Sequence, residues 1–136
     1  EWMAFSNDIL GKSIVAVIYR TYKSSRNALR YVAEVDNFSR VSAWKSIWLG
    51  GLIMKMVGKS RAKMFDLPPE DNLVHQLDVM SAGFQGDFFG GENPDGADFA
   101  NYGILRSMQG LRGFDILENH AKVQPWYARM QRISHE

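Results

Sequence analysis

The stretch Gly90-Gly91-Glu92-Asn93-Pro94-Asp95-Gly96-Ala97-Asp98-Phe99-Ala100-Asn101-Tyr102-Gly103 decides how the chain is read, because independent local rules agree there on one conformation. The two glycines permit backbone angles closed to other residues, Pro94 precedes a helix, and Asp95 stands at the N-cap with Asp98 three residues on. That spacing predicts a capping box. The Asp95 carboxylate accepts from the first-turn amides, Asp98 reaches back to the amide of Asp95, and the helix dipole favours both charges. Pro94 and Phe99 are placed to form the accompanying hydrophobic staple. Beyond the cap, Ala97, Ala100, Ile104, Met108 and Leu111 recur at three and four, with Gly103 and Ser107 beside them, which predicts a buried helix packed closely on its neighbours. Two aspartates three apart can also be a catalytic pair, but no cleft signal accompanies them and the cap accounts for both.

Working outward, the rest of the chain is helical in period. Residues 1–22 read as one helix, with Trp2, Phe5, Ile9 and Ala16 along one side and Met3, Leu10, Ile14, Val17 and Ile18 along the next. The run Ile14 to Tyr19 has strand propensity, yet the helical pattern continues through it without a turn signal. Tyr22 to Arg26 reads as a connection, Ala28, Leu29, Val32, Val35 and Phe38 as a second helix, and Asp36 to Arg40 as its close. Val41 to Phe65 is the longest candidate, about 36 Å at ~1.5 Å per residue. Its first half, with Trp44, Ile47, Trp48, Leu49, Leu52 and Ile53, is apolar all round, and its second half carries Lys55, Lys59, Arg61 and Lys63. Gly50 and Gly51 interrupt it, which suits another backbone packed closely against them or a bend there. Pro68-Pro69 with Glu70 and Asp71 opens a fourth helix, bearing Leu73, Leu77, Val79, Met80 and Phe84. Gly83 to Gly91 is a loop, Gly113 a break, Phe114 to His120 a short helix, and Pro125 the start of a last helix with Trp126, Tyr127, Met130 and Ile133.

Composition bounds the function. A chain of 136 residues suits one domain with its own core. A net charge of +1 gives no global attraction to nucleic acid or membrane, so only local charge patterns matter and no nucleic-acid partner is expected. With no cysteine there is no disulfide, thiolate metal site or redox pair. His75, His120 and His135 lack metal-ligand spacing, and no metal is expected. The apolar run Ile47 to Met54 is far short of the ~18 to 20 residues that span a bilayer.

The Gly-Gly, Pro, x-x-Ala-Asp, Tyr-Gly sequence resembles the buried core helix of the glutathione transferase C-terminal domain. Glu1-Trp2, Ile18-Tyr19-Arg20-Thr21, Lys59-Ser60-Arg61, Gly103 to Leu111, Phe114-Asp115 and Gln124-Pro125-Trp126-Tyr127-Ala128-Arg129 are similar to the prostaglandin E synthase 2 family, nearly end to end and most densely after Gly90. The resemblance implies an all-α, glutathione transferase C-terminal-like bundle over residues 1–136. The chemistry of that family belongs to a thioredoxin-like N-terminal domain with Cys-x-x-Cys, so no catalytic residue and no cofactor is expected in this chain, and glutathione or haem only with that domain upstream. The family's helical domain lines one wall of the glutathione and haem cleft and supplies dimer contacts. Arg61 matches the more distal of two arginines facing bound anionic groups; the other falls at Val57, and the pocket histidine near Lys12. By itself, Arg61 also reads as a solvated charge favoured at a helix C-terminus.

Two functions remain: the helical half of a prostaglandin E synthase 2-like isomerase, non-catalytic alone, or an accessory interaction subunit of a mitochondrial or membrane-associated assembly. Seven methionines and four tryptophans suit an irregular core, and Trp44 and Trp48, one turn apart, can fill it or stand on a partner surface. The two-ended helix is expected to dock a protein partner (the upstream domain, a second copy or a larger complex) or, peripherally, a membrane. Trp44, Trp48 and Leu52 are its candidate anchors, with Lys55, Lys59, Arg61 and Lys63 at the rim.

Overall fold

The computed structural model describes residues 1–35 and 40–135, with side chains described outside residues 32–46. The three- and four-residue spacings become α1 (Trp2–Phe5), a π-helical turn (Ser6–Leu10), α2 (Gly11–Ile18), α3 (Tyr22–Val35), α4 (Arg40–Ala62), α5 (Pro69–Ala82), α6 (Gly96–Arg106), α7 (Phe114–Glu118) and α8 (Val123–Ile133). Among the described residues there is no β-strand, only an isolated bridge between Phe88 and Gly91 in the loop before α6. The architecture is an all-α bundle. α2 runs through its middle, against α4 on one side and α5 on the other. α3 pairs with α4, while α6, α7 and α8 close over α1, the π turn and α5.

The core is the shared interior of these helices: Leu10, Val17, Leu73, Leu77, Met80, Leu105, Met108, Leu117, Val123, Trp126 and Met130 are all wholly buried. Burying each such side chain favours folding by about 1.5 to 3 kcal/mol. Three polar side chains cross the α2–α5 contact with their hydrogen bonds made. The Asn72 amide donates to Ser13 Oγ at 2.8 Å, and the Gln76 amide donates to Asn72 Oδ1 at 3.2 Å. An interior amide without those partners would cost about 1 to 3 kcal/mol, so the ladder fixes the facing of the two helices.

Several boundaries differ from the sequence reading. The first helix stops at Ile18, and α3 begins at Tyr22 in place of a connection from Tyr22 to Arg26. The reason is a hydroxyl version of the capping box: Thr21 Oγ1 accepts from the Ser24 amide at 3.1 Å and Ser24 Oγ accepts from the Thr21 amide at 3.2 Å. The π turn fits one more residue into its loop and rotates the buried face, which brings Ser6 and Leu10 inward and leaves Met3 and Ile9 exposed. α4 ends at Ala62, three residues before Phe65, and α8 begins two residues before Pro125. The strand alternative for Ile14 to Tyr19 is excluded, since Ile14 to Ile18 lie within α2. The expectations for Val32, Val35, Phe38 and the close at 36–40 lie outside the described residues.

The glycines of α4 show why that helix can lie so near its neighbours. A methyl group on Gly51 would meet Arg26 Cγ at 2.8 Å, one on Gly50 would meet Leu29 Cδ1 at 3.0 Å, and one on Gly58 would meet both Cβ and the carbonyl oxygen of Tyr19 at 2.7 Å. The sequence reading set another backbone, or a bend, at Gly50 and Gly51; their near neighbours are side chains, Leu29 for Gly50 and Arg26 and Tyr22 for Gly51, and it is Gly58, which that reading passed over, that touches backbone.

Candidate ligand cleft and docking face

The organising segment forms as its residues dictate. Asp95 is the N-cap of α6, its Oδ1 accepting from the amides of Ala97 at 2.7 Å and Asp98 at 3.3 Å, while Asp98 Oδ2 accepts from the Asp95 amide at 2.9 Å. Asp98 does more than complete the box. It is fully buried, and its Oδ1 accepts from the indole Nε1 of Trp126 at 2.7 Å and from the Phe89 amide at 3.2 Å. One carboxylate therefore ties the 88–91 loop, the start of α6 and α8 together. Around it stack Phe84 on Trp126, with ring centroids 5.6 Å apart, and Phe89 edge-on to Phe84 at 5.0 Å.

These bonds turn α6 away from the orientation expected of it. The inward residues are Asp98, Asn101, Tyr102 and Leu105, followed by Met108 beyond the helix end. Ala97, Ala100, Ile104 and Leu111 lie at the margin, Gly103 and Ser107 are exposed, and a methyl group on Gly103 would meet nothing within 4 Å. The small residues therefore do not mark a close helix contact there. Phe99 is about half exposed and Pro94 partly buried. The helix ends at Arg106, with 107–113 in turns, so the stripe does not run to Leu111 as helix.

Arg61 and Lys12, distant in sequence, line one open cleft of about 560 Å³. Its floor is apolar, with Ile14, Val15, Ile18, Ala28, Ile104 and Leu111, and its polar groups are Asn7, Lys12, Tyr19, Arg61 and Ser107. The Arg61 guanidinium approaches Met64 Sδ at 3.8 Å. Burial raises the Tyr19 phenol above its ordinary value of 10.0, so at neutral pH it is a neutral hydroxyl. Sequence reasoning missed Tyr19 as a cleft residue. Its position in the resembling segment Ile18 to Thr21 was the available signal. Val57 is half-buried and does not line the cleft. Among the described residues the lining offers cations, hydroxyls and an amide, without a carboxylate–histidine pair.

The remaining candidates lie on α4 and just beyond it. Trp48, Leu49, Leu52, Ile53 and Met56 are 60, 54, 48, 51 and 66% exposed, and Lys55, Lys59 and Lys63 are exposed as well. For Trp48 the core-filling alternative is overturned. The side chain of Trp44 lies outside the described residues. A second cleft is bounded by Glu70, Arg112, Phe114, Asp115 and Glu118, and there Glu70 binds both Arg20 and Arg112.

An all-helical bundle with a capped, buried helix before its C-terminal helices and a basic cleft beside its first long helix is a glutathione transferase C-terminal-type domain. No protein-family model matches the chain. Prostaglandin E synthase 2 of Mus musculus is 33% identical over 141 residues, covering 100% of this chain and 36% of the relative. The protein of the same name from Danio rerio is 29% identical over 138 residues, covering 98% and 37%. Along its own length the chain is similar to these prostaglandin E synthase 2 proteins, and it spans little more than a third of their length.

Proposed function

We propose that the chain is the helical, non-catalytic half of a two-part protein, forming the wall of a cleft for an anionic ligand with an apolar body. The observation that carries this is the convergence of Lys12 and Arg61 on one apolar-floored cleft. Two cations fix a carboxylate at one end, with bonds to charged groups worth about 1.5 to 3 kcal/mol each, while the aliphatic floor takes the body of the ligand. The other wall and the reactive group come from a thioredoxin-like domain, whose thiolate no side chain in this cysteine-free chain replaces. Glutathione and haem, both carboxylate-bearing, fit that description.

Titration of S-hexylglutathione into the chain, alone and with a thioredoxin-like domain of the family, tests the reading. Affinity rising on addition of the domain, and falling about tenfold in Arg61→Ala and Lys12→Ala, is the expected result. Equal affinity in wild type and both variants removes the cleft from the function. A second reading, an accessory subunit of a mitochondrial membrane-associated assembly, is favoured by one observation, the uncovered apolar side of α4.

A further inference from the structure

We infer that the outer side of α4 is a docking face for an anionic lipid surface, on which the helix lies flat without crossing. The inference is independent of the cleft. Trp48, Leu52 and Met56 follow one another at four-residue steps, with Leu49 and Ile53 alongside, so five exposed apolar side chains form one strip about 12 Å long. The opposite side of α4 is taken up by Gly50, Gly51 and Gly58 against α2 and α3. A helix apolar on both sides is normally covered on both, and here one side is left open.

The charges say what covers it. Lys55, Lys59 and Lys63 form their own row at four-residue steps beside the strip and are exposed, and no ion pair among the described residues uses them. Residues 40–63 hold six of the sixteen Lys and Arg and none of the fifteen Asp and Glu, which makes this segment +6 and the remainder −5. A second copy of the face would set lysine against lysine, and its few hundred Å² fall short of the ~800 Å² per partner of a stable interface. A nucleic acid offers phosphates but no apolar phase for five such side chains. An anionic bilayer offers both, phosphates at its surface and acyl chains about 5 to 10 Å beneath, with the boundary between them suited to an indole such as Trp48. The face is also a single convex helix, the shape that embeds in a plane. No described helix is long and apolar enough to cross a membrane, consistent with contact from one side.

Flotation of the full chain with vesicles tests this directly, using phosphatidylcholine alone and phosphatidylcholine mixed with phosphatidylserine. Flotation with the mixed vesicles only, reversed by salt, is expected. The triple change Lys55→Gln, Lys59→Gln, Lys63→Gln should weaken it about a hundredfold, at about fivefold per lysine. Leu52→Ser with Ile53→Ser should weaken it at least tenfold, with helicity and melting of both variants unchanged because the altered side chains are exposed. Quenching of wild-type tryptophan fluorescence by brominated acyl chains, reduced in Trp48→Phe, places the face in the lipid without disturbing strip or lysines. No flotation, flotation that ignores both sets of changes, or a concentration-dependent dimer split by Leu52→Ser with Ile53→Ser would each overturn the inference.

Discussion

Asp98 is the residue on which most of the fold's local order converges, because its two oxygens satisfy donors from three separate segments. Removing it leaves the Phe89 amide, the Asp95 amide and the Trp126 indole without partners, two of these bonds being buried. Each such orphan costs about 1 to 3 kcal/mol, so Asp98→Ala is expected to destabilise by about 3 to 5 kcal/mol in urea unfolding. Asp95→Ala, at an exposed cap, should cost only about 1 kcal/mol. In a double-mutant cycle, Asp98→Ala and Trp126→Phe should be less than additive, since the second change removes a donor the first has orphaned. Tyr19 and Tyr127 carry the pH response. Burial raises both phenols above 10.0, and for Tyr127 the neighbouring Tyr102 adds to the effect while Arg106 opposes it. Their folded-state pKa values exceed the unfolded ones, so their contribution is complete below about pH 10 and is lost as pH rises through the folded values. Urea midpoints should fall above about pH 10 as these phenols ionise, and Tyr19→Phe should remove part of that fall.

At the scale of the element, α4 and α6 use glycine for opposite reasons. In α4, Gly58 lets the helix touch the backbone of Tyr19, and backbone cannot move aside as a flexible side chain can. Gly58→Ala is expected to destabilise by about 1 to 3 kcal/mol, more than Gly51→Ala, whose nearest neighbour is the mid-chain carbon of Arg26. In α6, Gly103 faces open space, so Gly103→Ala should stabilise by about 0.5 to 1 kcal/mol through its helix propensity. Thermal melting of the three variants distinguishes a packing glycine from an idle one. The same contrast separates the two long stripes. The apolar side of α6 is roofed by the aromatics around Trp126, whereas the outer side of α4 has no cover among the described residues.

Across the whole molecule, charge is divided more sharply than the net +1 suggests. Residues 12–63 contain eleven of the sixteen Lys and Arg and two of the fifteen Asp and Glu, so that part is +9 and the rest −8. The cleft's two cations and the basic end of α4 belong to the same half, and an anionic ligand or surface approaches it in a favourable field. The isolated chain is expected neither to isomerise prostaglandin H2 nor to conjugate glutathione. Turnover above a heat-killed control, abolished by a point substitution, would overturn the non-catalytic proposal.

The sequence by itself determined the helical class, the capped start of α6 and the similarity to prostaglandin E synthase 2, because each is encoded within a few residues or by direct similarity. Caps and periodicity are local physics: a carboxylate reaches amides of its own turn whatever surrounds it. Only the tertiary structure decided that α6 turns Asp98, Asn101 and Tyr102 inward, that Ser13, Asn72 and Gln76 form an interior ladder, and that Lys12 and Arg61 share a cleft. Those facts depend on partners 28 to 59 residues away in sequence, such as Trp126 for Asp98 and Ser13 for Asn72, which no window on one helix contains. The exposure of Trp48 is of the same kind. An apolar strip reads alike whether it is buried or bare, and only the packing of α2 and α3 onto the other side of α4 left it facing out.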